Sequence, residues 1–209
     1  MNDQLWLAFA ATVLAIELTP GPNMAWLAAL TIGEGKRAGL AAMAGIALGL
    51  AIVALAAALG LAALVQTEIL VWQILRWAGI AYLLWLSWEG WRDAGKTFVV
   101  SAGSEAGSEQ AQWLRRFRDG LVINLLNPKA GLFYIVILPN FLPPGDHGLL
   151  QTALLSLINI AVATFVHLMI VLLATRARPW LMQSSRTRTV RRALALALVA
   201  VAIWFAFTT

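Results

Sequence analysis

Six long apolar runs with few charged residues follow one another along the chain. They cover about residues 4–32, 38–66, 68–91, 119–142, 148–175 and 192–208. Because a bilayer core of about 30 Å is crossed by about 20 helical residues, each run is long enough for one transmembrane helix. The pattern predicts an all-α integral membrane protein with six transmembrane helices, built as a single transmembrane domain over residues 1–209.

The composition excludes an ordinary soluble domain. Hydrophobic residues make up 61% of the chain and charged residues 12%, against roughly 45–50% and 25% in soluble proteins. A soluble fold with so little charge would expose large apolar patches, so the excess is expected to face lipid. With 0 cysteines, the chain has no disulfide, thiol catalysis or thiolate metal site. We expect no metal, no cofactor and no catalytic residues.

The basic residues indicate how the chain is oriented in the membrane. Of the 15 Lys and Arg residues, 13 lie in the connections after the first, third and fifth runs. Cytoplasmic loops collect Lys and Arg, so these connections are expected inside and both termini outside. This placement accounts for the net charge of +5 without a nucleic-acid partner. The tryptophans near the predicted boundaries agree with interfacial belts: Trp6, Trp72 and Trp204 outside, and Trp88, Trp91, Trp113 and Trp180 inside.

The longest connection, about residues 92–118, divides the chain into two halves. Its segment 101–110, SAGSEAGSEQ, is small and polar and predicts a flexible cytoplasmic linker. The following AQWLRRFRDG could lie on the inner leaflet, although a topology signal alone explains its arginines more simply. Three predicted spans on each side make repeat 1 about 1–91 and repeat 2 about 119–209. An odd number per half makes the halves enter the membrane in opposite senses, which is the condition for a 3+3 inverted repeat.

Helix-breaking residues lie at corresponding places in the two halves. The first run contains Thr19-Pro20-Gly21-Pro22-Asn23, and the fourth contains Asn127-Pro128-Lys129. Proline removes a helical hydrogen bond and disfavours helix at the residue before it. Both breaks lie near the middle of their runs, where non-helical backbone is tolerated only inside protein or around a wet cavity. The sequence therefore predicts a site near the bilayer midplane between broken helices 1 and 4. Two packing kinks are the simpler alternative.

Several segments resemble the LysE/RhtB family of amino-acid exporters. The resemblance rests on TPGPNMAWLAALTIGEGKRAGLAAMAGIALG, LRWAGIAYLLWLSW and RDGLVINLLNPKAGLFYIVILPNFL, which follow in order along nearly the whole chain. It implies a six-helix carrier of the bacterial inner membrane that exports amino acids or related small metabolites by proton-coupled antiport. Export rather than import follows only from the resemblance. Glu17 departs from the family pattern, which would mark a subgroup with different specificity.

An amino-acid zwitterion requires one patch that favours anions and one that favours cations. A helix restarting at Pro22-Asn23 would direct free backbone N–H groups at the break, which suits a carboxylate. The preceding half-helix ends beside Glu17, where carbonyl groups and the side chain suit an ammonium group. We expect Glu17 to carry the proton or contact the ammonium group, and Lys129 to orient charge and pair with Glu17 in the empty site. A structural ion pair is the alternative, but intramembrane charges are usually functional.

Other polar residues complete the predicted substrate site and proton path. Asn23, Asn124 and Asn127 can donate and accept within a cavity, or simply hold helices together. Asn159 lies near the middle of the fifth run, and His167 could relay protons or make a packing hydrogen bond. The predicted substrate-binding residues are Glu17, Thr19, Pro20, Gly21, Pro22, Asn23, Tyr82, Asn124, Asn127, Pro128, Lys129 and Asn159, and the predicted proton-coupling residues are Glu17, Lys129 and His167.

Small residues in the second run predict close helix packing. Gly45 and Gly49 are spaced so that another helix can approach closely, either within one chain or in a homodimer. We expect the contact within the chain.

A membrane-embedded enzyme or a channel for a small polar solute is the alternative to a carrier. An enzyme would need a nucleophile, a metal cluster or an acid–base pair, and two separated histidines with no cysteine offer little. An ATP-driven pump would need a phosphate-binding glycine-lysine loop, and the chain contains none. The residues do not select one amino acid among neutral, basic and sulfur-containing substrates.

Overall fold

The structure, a computed structural model, describes residues 3–19, 21–59, 69–93, 108–142, 149–182 and 187–208, and all secondary structure in these ranges is helical. The α-helices are α1 (Asp3–Leu18), α2 (Pro22–Glu34), α3 (Lys36–Ala58), α4 (Ile69–Asp93), α5 (Glu109–Leu125), α6 (Pro128–Leu132), α7 (Leu149–Leu181) and α8 (Thr187–Thr208). A π turn (Phe133–Ile137) and a 3-10 turn (Leu138–Phe141) directly follow α6.

Two of the described helices are long and apolar enough to cross a membrane, namely α3 and α7. Helices α1 and α2 pass the same test only as a pair, which is bent by 58° at its break and is either one broken span or a re-entrant loop. The predicted all-α class is thereby confirmed. The arrangement of six spans as two inverted triplets goes beyond this count and stays a prediction.

The first predicted break lies where proline and glycine interrupt the helix. Helix α1 ends at Leu18, and α2 begins at Pro22 after Gly21, whose backbone is extended. Proline suits the first position of a helix because its missing N–H has no helical partner there. Pro20 lies outside the described residues. The predicted interruption of the first run is confirmed.

The second predicted break is also present, but the helix does not resume as a regular span. Helix α5 ends at Leu125, and the Asn127 side chain caps α6 by accepting a hydrogen bond from the Lys129 backbone N–H at 3.1 Å. After five residues α6 widens into the π turn and then tightens into the 3-10 turn. Pro139 lies in the first turn of the 3-10 segment. Because proline has no backbone N–H, the regular helical hydrogen bonding ends there. The predicted interruption at Asn127-Pro128-Lys129 is confirmed, and the segment that follows it changes from α through π to 3-10 geometry before Leu142.

Helix α5 begins earlier than the fourth apolar run. Ser108 accepts a hydrogen bond from the backbone N–H of Ala111 at 3.3 Å and caps the helix, which is continuous through the basic segment 111–120 into the apolar run. Residues 109 and 110 of the predicted linker therefore belong to α5, and the rest of that linker up to residue 107 lies outside the described residues. Serine is a favoured N-cap because its side-chain oxygen satisfies a free N–H group of the first turn.

Helices α3 and α5 cross at a contact that only glycine permits. A Cβ atom on Gly45 would overlap the carbonyl oxygen of Phe117, and one on Gly120 would overlap that of Ala42. One helical turn further, a Cβ on Gly49 would lie 2.7 Å from Nδ2 of Asn124. The predicted role of the Gly45 and Gly49 pair in packing within the chain is confirmed, and the contact brings Asn124 against α3.

The C-terminal end of α2 is held by arginines from the second half of the chain. Arg116 on α5 binds both carboxylate oxygens of Glu34, at 2.7 and 2.6 Å, and also reaches the buried Asp119 at 3.0 Å. Arg178 on α7 donates to the backbone carbonyl of Ile32 at 3.0 Å. The planar guanidinium group of arginine is suited to bidentate hydrogen bonding with a carboxylate. These contacts fix α2 between α5 and α7.

Candidate functional site

The two helix breaks lie side by side. The Nζ atom of Lys129, at the start of α6, donates a hydrogen bond to the backbone carbonyl of Thr19 at 3.0 Å. Gly21 lies against the stem of the same side chain, since a Cβ atom there would be 3.6 Å from Cδ of Lys129. Thr19 and Lys129 are 110 residues apart in sequence. The side chain of Lys129 therefore connects the non-helical segment after α1 with the start of α6 through a hydrogen bond.

A narrow cavity that is partly open to the outside of the protein lies at these breaks. Its walls come from both halves of the chain, and all eight of its polar and backbone wall residues in the described ranges are ones that the sequence predicts. The polar and backbone part of the wall comprises Glu17, Gly21, Asn23, Asn124, Asn127, Lys129, Asn159 and His167, and the apolar part comprises Met24, Leu50, Ala130 and Phe133.

The charged wall residues are one acid and one base. Glu17 lies on the last turn of α1 and Lys129 on the first turn of α6, near enough to attract each other electrostatically. His167 projects from α7 into the same cavity and is 3% exposed. With Glu17 ionised, Lys129 protonated and His167 neutral, the formal charges of the described wall residues add to zero. Such a wall can pair with both charges of a dipolar solute.

An amide pair joins the two halves beside the breaks. Nδ2 of Asn23, in the first turn of α2, donates to Oδ1 of Asn124 near the end of α5 at 2.8 Å. Both side chains are buried, and Oδ1 of Asn23 and Nδ2 of Asn124 have no partner within the described part of the chain. Either orientation of the two amides leaves one free acceptor and one free donor at this point. Burying such groups unpaired is costly, so a bound water or a polar solute is required to complete them.

A second amide lies on α7. Asn159 is 2% exposed, and its Nδ2 donates to the phenol oxygen of Tyr134 at 3.3 Å. Its Oδ1 atom has no partner among the residues that the structure describes. Tyr134 is 3% exposed and packs edge to face on Phe133, with ring centroids 5.1 Å apart.

The remaining predicted site residues have other positions. Thr19 contributes its backbone carbonyl at the first break, Pro22 is buried at the start of α2, and Pro128 supplies the backbone that begins α6. Tyr82 lies on α4 beside Trp85, with ring centroids 5.5 Å apart, and is not among the residues that line the cavity.

The apolar wall and Tyr134 are not among the residues that the sequence predicts. Leu50, Phe133 and Ala130 lie in uninterrupted apolar runs, where cavity-facing and lipid-facing positions have the same residue types. Tyr134 stands in the run FYIVIL. A single hydroxyl group in an otherwise apolar segment could have indicated a buried hydrogen bond, because a tyrosine hydroxyl usually has a hydrogen-bond partner when it is buried.

Comparison with known proteins supplies the family. The family model of the LysE-type translocators matches residues 14–209. The homoserine/homoserine lactone efflux protein of Salmonella typhimurium is 30% identical over 193 residues, which cover 92% of this chain and 91% of that protein. The leucine efflux protein of Enterobacter sp. is 32% identical over 157 residues, 72% of each chain. An uncharacterized membrane protein of Vibrio cholerae is 32% identical over 148 residues, 70% of each chain. No solved structure matches.

Proposed function

This chain belongs to the family of LysE-type translocators, and on that premise we propose that it exports amino acids or closely related metabolites across the bacterial inner membrane by proton-coupled antiport. It is a transporter and not an enzyme. The observation that carries the proposal is the hydrogen bond from Lys129 to the Thr19 carbonyl, which places both helix breaks at one polar cavity. Broken helices of this kind form substrate sites in secondary transporters.

The cavity offers separate partners for the two charges of a zwitterion. Lys129, the free N–H groups at the start of α2 and the amide donor of Asn124 suit a carboxylate. Glu17 and the carbonyl groups at the end of α1 suit an ammonium group. In this proposal the substrate lies between Glu17 and Lys129 and separates their charges.

Both halves of the chain must move for such a substrate to pass. The enclosed part of the cavity is narrow, so its walls have to separate before an amino acid enters. We assign the movement to a 3+3 inverted repeat whose halves rock about the shared site, with both termini outside. The bond between Asn23 and Asn124 and the bond between Lys129 and Thr19 both join one repeat to the other. These contacts would therefore change during each transport cycle.

Proton coupling is assigned to the charged groups of the same cavity. Glu17 can bind either a proton or the substrate's ammonium group, so occupation by one excludes the other. Lys129 supplies the opposing charge, and His167 lies on the same wall as a relay. Exclusive binding at one carboxylate gives antiport when the empty carrier does not change conformation.

Transport by proteoliposomes tests the proposal and separates it from its alternatives. We expect saturable uptake of homoserine or leucine that depends on an imposed pH gradient. Flux that does not saturate would favour a channel, and a chemically changed product would favour an enzyme.

Neutralising Glu17 is expected to uncouple transport from the proton gradient. Glu17→Gln removes the shared proton and ammonium site, so gradient-driven transport should fall about tenfold or more, from loss of a charged hydrogen bond. Transport rates measured from about pH 5.5 to 8, a range around neutrality, should lose their pH dependence. Glu109→Gln, at an exposed position on α5, is the control and should retain both. Unchanged pH dependence in Glu17→Gln would refute the assignment.

A further inference from the structure

Asn159 lines the cavity, and its buried Oδ1 atom is an acceptor that the zwitterion does not use. The partners proposed for the carboxylate and ammonium groups come from the two helix breaks and from the Asn23–Asn124 pair. Asn159 comes instead from α7, an unbroken helix of 33 residues. Its Oδ1 atom is buried and has no partner in the described ranges, although the residue lines the cavity. This amide is therefore left for another part of the substrate.

Tyr134 fixes the position of that amide. The phenol oxygen contacts Nδ2 of Asn159 at 3.3 Å, and the ring is held among Phe133, Phe9 and other buried apolar residues. The phenol has few alternative positions, because the residue is 3% exposed within this cluster. Tyr134 does not line the cavity itself, so it acts as a positioning residue for Asn159.

The chemistry of an amide limits what can bind there. Whichever end of the Asn159 amide is unpaired, a hydroxyl group that reaches it can satisfy it, because a hydroxyl both donates and accepts. A methyl group of the same size would leave the buried amide unpaired, and sites built around such groups discriminate strongly against substrates that cannot pair with them. The neighbouring Phe133 and Leu50 can still accept the methylene part of a side chain.

We propose that Asn159, held by Tyr134, determines substrate specificity by binding the side chain of the amino acid. It favours small neutral amino acids with a side-chain hydroxyl group over aliphatic isosteres. This inference rests on the proposed function. It adds a substrate class and the two residues that recognise the side chain of that substrate.

Matched substrates isolate this contact. Homoserine and norvaline differ in one hydroxyl-for-methyl exchange at the end of the side chain, and their zwitterions are the same. In proteoliposomes the wild-type protein should transport homoserine about tenfold more efficiently than norvaline, measured as maximal rate divided by half-saturating concentration. Asn159→Leu should remove this preference, chiefly by raising the half-saturating concentration for homoserine. Tyr134→Phe should also weaken the preference for homoserine over norvaline, and it should leave the maximal rate nearly unchanged.

The control removes a buried hydroxyl elsewhere. Ser87 on α4 is buried and donates to the carbonyl of Ala195 on α8 at 2.8 Å, and Ser87→Ala should leave the preference as in the wild type. A wild-type protein that does not distinguish homoserine from norvaline would overturn the inference, as would a preference that survives Asn159→Leu. If Asn159→Leu does not fold, Tyr134→Phe and thermal stabilisation of the purified wild-type protein by each substrate decide the question. Absence of transport for every amino acid would instead refute the proposed function.

Discussion

Replacing Lys129 by methionine is expected to reduce amino-acid transport by about two orders of magnitude, since the loss of charged hydrogen bonds to a substrate costs roughly 3 kcal/mol. Methionine keeps the length and apolar stem of the side chain but removes its charge and its three donors. The substrate's carboxylate then loses its cationic partner. The Thr19 carbonyl loses the hydrogen bond that joins the two breaks, and Glu17 loses the nearby opposite charge. Transport of homoserine in proteoliposomes measures the effect.

Two further variants separate this effect from a general loss of structure. Lys129→Arg keeps the positive charge and should retain part of the activity, although the larger planar group fits less well. Lys36→Met, at an exposed position at the start of α3, should transport at the wild-type rate. All variants should elute as the wild type does in size-exclusion chromatography. A folded Lys129→Met protein that transports within about twofold of the wild type would contradict the role assigned to Lys129, since a lost charged hydrogen bond costs more than that.

Adding one methyl group at Gly45 or Gly120 is expected to destabilise the protein strongly. Each new Cβ atom would overlap a backbone carbonyl oxygen of the facing helix, of Phe117 in one case and of Ala42 in the other. A backbone cannot move aside as a flexible side chain can, so α3 and α5 must separate. Overpacking of this kind costs about 1–3 kcal/mol, and we expect at least the upper value. Thermal unfolding in detergent measures the loss.

The matched control is Gly33 on α2, where a Cβ atom would meet no described atom within 4 Å apart from its chain neighbours and the nearby backbone of its own helix. Gly33→Ala should be neutral or slightly stabilising, because alanine favours a helix over glycine by roughly 1 kcal/mol. Gly45→Ala should also weaken transport through Asn124, which the same helix crossing places at the cavity. Equal melting temperatures for Gly45→Ala and Gly33→Ala would show that α3 and α5 do not cross as described.

The helix breaks could be predicted from the sequence because their causes are local. Pro22 and Pro128 each begin a helix, and Asn127 caps one with its own side chain. These effects depend on residues within one turn of the break. Most of the polar cavity wall follows from the same reasoning, since polar residues in an apolar span are costly unless they face protein or a wet cavity.

Partners distant in sequence could not be predicted in this way. Asn23 and Asn124 are 101 residues apart, and their contact depends on how α2 and α5 are rotated about their axes. In a soluble helix the apolar stripe fixes that rotation. In a membrane span both faces are apolar, so buried Leu50 and exposed Leu55 on α3 have the same residue type. For the same reason, little in the sequence indicates the apolar wall, the role of Tyr134 or the position of Tyr82 outside the cavity wall.

Cross-linking between the two halves tests most directly whether the broken helices meet at one cavity. The chain has 0 cysteines, so pairs can be introduced without a background reaction. Asn23→Cys combined with Asn124→Cys should react within the membrane with a short bifunctional thiol reagent, because the two native side chains are 2.8 Å apart. Asn23→Cys combined with Leu125→Cys is the control, since Leu125 is the next residue and its side chain is exposed. Efficient cross-linking of the first pair and little of the second is the result we predict. Equal cross-linking of both pairs, or none of either, would contradict the account.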